Sequence, residues 1–169
     1  MPFLPYKYGV RRLVFSSVLP LAYRDELERI VFFNPRQDRV SKAVVDSVHQ
    51  FGVPSIVEDQ GTLRFRVPAF GAVQTLYALD QDINPATLLG VAIFVRENRK
   101  TVLVLHLAVH EDYAVGGPNE EDWVASRLLA TVRSACRHIR GIKRLRLLYP
   151  REFFLKLEGQ PRLAADTTV

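Results

Sequence analysis

The chain is poor in the residues that staple or metallate small proteins. Its 169 residues include one cysteine, Cys136, and four histidines. A single thiol cannot close an internal disulfide, which fits a reducing compartment, and a cysteine placed mid-helix beside an apolar stripe is expected to be inert packing or a minor exposed thiol. So few soft ligands, scattered along the chain, leave no set for a metal centre such as structural zinc. Long hydrophobic runs are missing as well. Nothing approaches ~18 uninterrupted apolar residues, so no membrane-spanning helix is expected. The opening residues MPFLPYKYGVRR carry prolines and charges where a signal peptide needs an apolar stretch. Internal repeats and low-complexity tracts are also missing. These absences predict one globular domain over 1–169, cytoplasmic, with 159–169 as a polar tail.

What is present supports a core. Hydrophobic residues make up 48% of the chain and charged residues 24%, enough for one domain and too little length for two. The formal net charge of +5 favours an anionic partner, either a nucleotide-like cofactor or nucleic acid. Arg133, Arg137 and Arg140, followed by Lys143, Arg144 and Arg146, concentrate cations late in the chain. The plainer reading is a solvated helix face with cations near its C-terminus. No aromatic stacking motif accompanies them, so nucleic acid is the weaker partner.

Hydrophobic periodicity lays out the elements. Leu13, Phe15 and Val18 mark a strand that Pro20 ends. Leu27, Ile30 and Val31 recur at helical spacing until Asn34-Pro35. Val40, Val44, Val45, Val48 and Phe51 make a second helical face from an Asp38 or Ser41 cap, ended by Gly52 and Pro54. Ser55–Val57 and Thr62–Val67 read as a hairpin, and Val73–Leu79, Leu88–Val95 and Thr101–Val109 as further strands. The last of these is apolar at nearly every position, as in a strand covered on both faces. Val124, Leu128, Val132, Ala135 and Ile139 form the stripe of a third helix, with Asn119 as its cap and Glu120, Glu121 and Asp122 in its first turn. Gly141 ends it before a strand at Lys143–Tyr149, and Pro150–Leu157 reads as a short helix.

This order, with Leu89-Gly90-Val91-Ala92, Leu107-Ala108-Val109-His110-Glu111-Asp112-Tyr113, Leu128-Leu129, Gly141 and the Lys143–Tyr149 strand, resembles the GNAT (GCN5-related N-acetyltransferase) superfamily. The resemblance implies an α/β (α+β) fold: a mixed, mostly antiparallel central sheet flanked by helices, shortened at its C-terminus and with the Ser55–Val67 hairpin added. It implies an N-acyltransferase that moves an acetyl or similar group from acetyl-CoA, or another acyl-CoA, to an amine acceptor. The main chain of Leu107, Ala108 and Val109 would then hold the pantetheine arm, and the amides of Gly116 and Gly117 the pyrophosphate. His110 or Glu111 would take the amine proton, with His106 on the same side of the strand by parity. The family's usual acid is a tyrosine after the fifth strand, where this chain has Phe154, with Tyr149 nearby.

A second reading from another class is a non-catalytic GNAT-like module that binds a protein or small ligand. Ala114-Val115-Gly116-Gly117-Pro118 lacks the basic residue of the family's phosphate loop, the next helix opens on acids, and Phe154 has no hydroxyl. An edge left open by absent C-terminal strands would pair with a second copy, giving a homodimer.

Overall fold

The computed structural model describes residues 11–35 and 41–148, and the backbone of 153–156. Asp38, Val40, Tyr149 and the 159–169 tail, each named above, lie outside them. The central sheet has six strands: β1 (Leu13–Ser16), β5 (Gln74–Asp80), β6 (Thr87–Arg96), β7 (Thr101–Val109), β8 (Arg144–Leu147) and β9 (Phe153–Lys156), in that spatial order. Every neighbouring pair is antiparallel except β7 and β8, which run parallel. The fold is therefore α+β, with a mixed, mostly antiparallel central sheet flanked by helices. A second sheet combines β2 (Ser55–Asp59), β3 (Thr62–Val67) and the short β4 (Gly71–Ala72).

β6 and β7 form the floor of two cores, which is why both sequences are apolar on consecutive positions. On one face, Leu89, Ala92 and Phe94 of β6 and Val102 and Val104 of β7 pack with Val124, Leu128, Val132 and Cys136 of α3 (Val124–Arg137). On the other, Leu88, Val91, Ile93, Leu103 and Leu105 meet Leu27, Ile30 and Val31 of α1 (Arg24–Phe32), together with Leu63, Phe65 and Val67 of β3. The added hairpin thus covers part of the sheet face that α1 leaves open. Its outward Arg64 and Arg66 alternate with that apolar row as the period of a half-buried strand requires. α2 (Ser41–Phe51) closes the same side, with Phe51 against this core.

A bulge in β7 determines which side chains reach which face. Ile93 pairs with His106 but Phe94 with Val104, so Leu105 is the extra residue. An inserted residue reverses the alternation that follows. Leu105 and His106 consequently both face the α1 side, where His106 joins Ile93 and Leu105 around one cavity, and Leu107 and Val109 turn to the α3 core. His106 and His110 keep the common side that parity predicts, because the bulge precedes both.

Two expectations are corrected. Residues 153–156 are a strand rather than part of a helix: β9 lies antiparallel to β8, with Leu145 opposite Leu155. Two adjacent aromatics favour a pleated surface, and the free edge of β8 supplies a partner. That edge, expected to be open for a second copy, is filled. The third helix also starts later than its acids suggest. Glu120–Asp122 form a 3-10 turn, and α3 begins at Val124 with no acidic residue in its first turn. Trp123 joins the two segments in the left-handed region, φ 52°, a conformation unusual for a bulky side chain. Asn119 makes no side-chain cap there.

Candidate functional site

The residues singled out by sequence meet at the C-terminal end of β7 and in the loop that leads to α3. The backbone N–H of His110 donates to the Leu89 carbonyl of β6 at 2.7 Å. Strand alternation then directs the Val109 N–H and C=O to the opposite edge of β7. β8 pairs with β7 only along Thr101–Val104, so among the described residues no strand covers that edge at Leu105–Val109. Here a pantetheine arm would have to bond. Part of the edge is already used: Asn34, just beyond α1, donates from Nδ2 to the Val109 carbonyl at 2.7 Å. Ala108 points its carbonyl toward Gly90 of β6, within 3.0 Å of where a Cβ would stand on that glycine. Leu107 is half-buried against the α3 core.

The loop amides are spoken for as well. Gly116, with φ +82°, gives its N–H to the Glu120 carboxylate. Gly117 donates to the Ala114 carbonyl at 2.9 Å, and Asn119 to the Asp112 carbonyl at 2.7 Å. Glu120 donates to the Gly117 carbonyl at 3.3 Å. A carboxylate of this chain therefore occupies the position in which a phosphate oxygen would accept from Gly116. Gly117 is required by packing, since a Cβ there would stand 2.5 Å from the Glu111 carbonyl oxygen. Both glycines shape a turn that returns on itself.

His110 and Glu111 are likewise engaged. His110 Nδ1 accepts from the Asp112 N–H at 3.2 Å and so begins the 3-10 turn Glu111–Tyr113. With Nδ1 an acceptor, a neutral ring would carry its proton on Nε2 and so have no free lone pair to act as a base. The Glu111 carboxylate accepts from Arg29 of α1 in an ion pair. Sequence reasoning missed Arg29 and Asn34, and it took Glu120 as one of the acids that disfavour a phosphate rather than as the partner of Gly116. Only Glu120 carried a signal, an acid four residues after the first loop glycine.

A charged brace fastens this loop to the far edge of the sheet. The Arg11 guanidinium donates to buried Asp80 at 2.9 Å and to the Tyr113 hydroxyl at 2.5 Å, and its Nε lies 3.1 Å from Asp122. Burial raises the Tyr113 phenol above its ordinary range, against the opposing pull of Arg11. Cys136 packs inside the α3 core, and burial pushes its thiol up, away from the thiolate that nucleophilic chemistry needs.

A concavity lies on the α1 side of the sheet. A cavity of about 180 Å³ sits between α1, α2 and the bulged stretch of β7, lined by Val31, Val48, Phe51, Val67, Ile93 and Leu105. His106 forms part of its wall, with Nε2 sealed from solvent, and burial holds the imidazole down at about 4, hence neutral at physiological pH.

Fold and site together define an α+β domain with a self-satisfied, acid-rich loop at one end of the parallel strand pair and an apolar cavity on the opposite face. No protein-family model matches the chain, and neither do curated proteins or solved structures. Among the described residues no three His, Cys, Asp or Glu side chains converge as a metal site, and no helix is long and apolar enough to cross a membrane.

Proposed function

We propose that this chain is a non-catalytic GNAT-like binding module of the cytoplasm. The observation that carries the reading is the Glu120 carboxylate on the Gly116 amide, with the Gly117, Asn119 and Glu120 amides bonded inside the same turn. A pyrophosphate would have to displace a covalently tethered anion and face Glu111, Asp112, Glu121 and Asp122 besides. Each candidate base is committed too, His110 to the turn and Glu111 to Arg29. A divergent acyl-CoA-dependent N-acyltransferase acting on an amine is the second reading. It is favoured by the parallel β7–β8 pair, whose pairing stops at Val104 and leaves an edge beside the loop. Calorimetry with acetyl-CoA separates the two. The module reading expects no binding up to millimolar cofactor. Micromolar binding, with amine acylation that falls in His110→Ala, would overturn it in favour of the enzyme.

A further inference from the structure

We propose that the basic end of the central sheet, where the turn after β6 meets the end of α3, binds the phosphate backbone of a nucleic-acid duplex. The surface lies at the other end of β7 from the 111–122 loop, roughly 27 Å away at about 3.4 Å per residue. The inference therefore stands or falls apart from the cofactor test above.

Two stretches far apart in sequence build the surface. At the end of β6 and in the turn that follows, Arg96, Arg99 and Lys100 are exposed; after α3, so are Arg140, Lys143 and Arg144. The Lys100 carbonyl accepts from the Lys143 and Arg144 amides at 2.8 and 3.0 Å, and a Cβ on Gly141 would stand 3.4 Å from the Arg99 carbonyl oxygen. Six cations thus share one end of the fold. Among the described residues none of them pairs with a carboxylate. Glu97 is the single acid in 96–100 and 137–148, and it is taken by Arg146. The dipole of α3 favours cations in its last turn, but Arg96, Arg99 and Lys100 belong to no helix and add only mutual repulsion to the isolated chain. An anionic partner turns that repulsion into attraction. Four of the six are arginines, whose planar fork suits phosphate oxygens. A duplex fits better than a single strand, since neither stretch carries an aromatic ring on which unpaired bases would stack. It also fits better than a lipid surface. Stable membrane attachment by a basic patch needs a second, apolar signal, and Ile139, 37% exposed, is the only large hydrophobic residue exposed in either stretch. Beyond the far end of β7, Glu111, Asp112, Glu120, Glu121 and Asp122 repel the same polyanion, so the field of the protein orients it.

The test follows the fluorescence anisotropy of labelled DNA and RNA duplexes, of arbitrary sequence, titrated with the full chain. At about 50 mM salt one or both should bind at micromolar concentration, and log affinity should fall against log salt with a slope of about −5, as six phosphate contacts require. Arg99→Ala combined with Lys143→Ala should weaken binding at least about tenfold and make that slope shallower by about two. Arg64→Ala combined with Arg66→Ala removes the same net charge from the hairpin and should leave affinity within about twofold. All four side chains are exposed, so both variants keep the fold, which circular dichroism checks. No duplex binding at about 100 μM protein in about 50 mM salt, equal loss in the two variants, or tighter binding to phosphatidylserine vesicles than to either duplex would each overturn the proposal.

Discussion

Acidification should loosen this protein through one imidazole. His106 is half-buried, with Nε2 sealed beside apolar side chains, and burial takes it from an ordinary 6.5 down to about 4 in the folded state. Between those two values the unfolded chain binds a proton that the folded chain refuses. Stability is therefore full above about pH 6.5, falls as the pH drops toward 4, and loses nothing further from this group below that. A gap of about 2.5 pH units corresponds to about 3–4 kcal/mol at roughly 1.4 kcal/mol per unit. Against a total stability of roughly 5–15 kcal/mol for a domain, that is a large fraction. Urea denaturation of the wild type and of His106→Phe, at steps from about pH 7 to 4, isolates the contribution, since the other titrating groups cancel in the difference. Phenylalanine keeps the planar bulk without the proton. The wild type should lose about 3–4 kcal/mol relative to the variant across the range. A difference that stays flat with pH would refute the reasoning, because it would mean that the imidazole is solvated or charged in the folded state.

Gly117→Ala should destabilise the protein by about 1–3 kcal/mol in urea denaturation, because the new methyl meets the Glu111 carbonyl oxygen at 2.5 Å and the Asp112 carbonyl oxygen at 2.7 Å. A neutral result would mean that the turn opens without cost. Arg11→Ala strands Asp80, which is fully buried, and releases Tyr113 and Asp122. Because the Arg11 side chain is 33% exposed, the cost expected is about 2 kcal/mol, below that of a fully buried pair. Arg11→Lys should recover only part of it, since an ammonium has no fork to span three partners. Thermal or urea unfolding of both variants checks the order.

The element order was legible along the chain because burial writes a period into it. Leu27, Ile30 and Val31 announce α1, Val124, Leu128 and Val132 announce α3, and the nearly continuous apolar run of β7 announces a strand covered twice. Composition alone showed enough apolar residues to build a core, which the sheet divides into two. The sites of chemistry were less legible. Gly116 and Gly117 look the same in sequence whether their amides await a phosphate or serve a turn, and only the folded loop brings the Glu120 carboxylate to Gly116. His110 and Glu111 were found by position on the strand, but their engagement depends on Asp112 and on Arg29, the latter eighty-two residues away. Phe153–Lys156 was misread because a short apolar stretch carries no period long enough to separate strand from helix, and the open edge of β8 made the choice.

By itself, then, the sequence determined the alternation and spacing of apolar residues, and with them the strands, the helices and the two faces that must be buried. The tertiary structure decided what those faces enclose. One extra residue at Leu105 turns His106 toward a cavity built from α1 and α2, and a carboxylate four residues along closes the glycine turn. Both outcomes depend on which groups arrive within a few ångströms of one another. Local periodicity is insensitive to such distances, whereas hydrogen bonding and desolvation are governed by them.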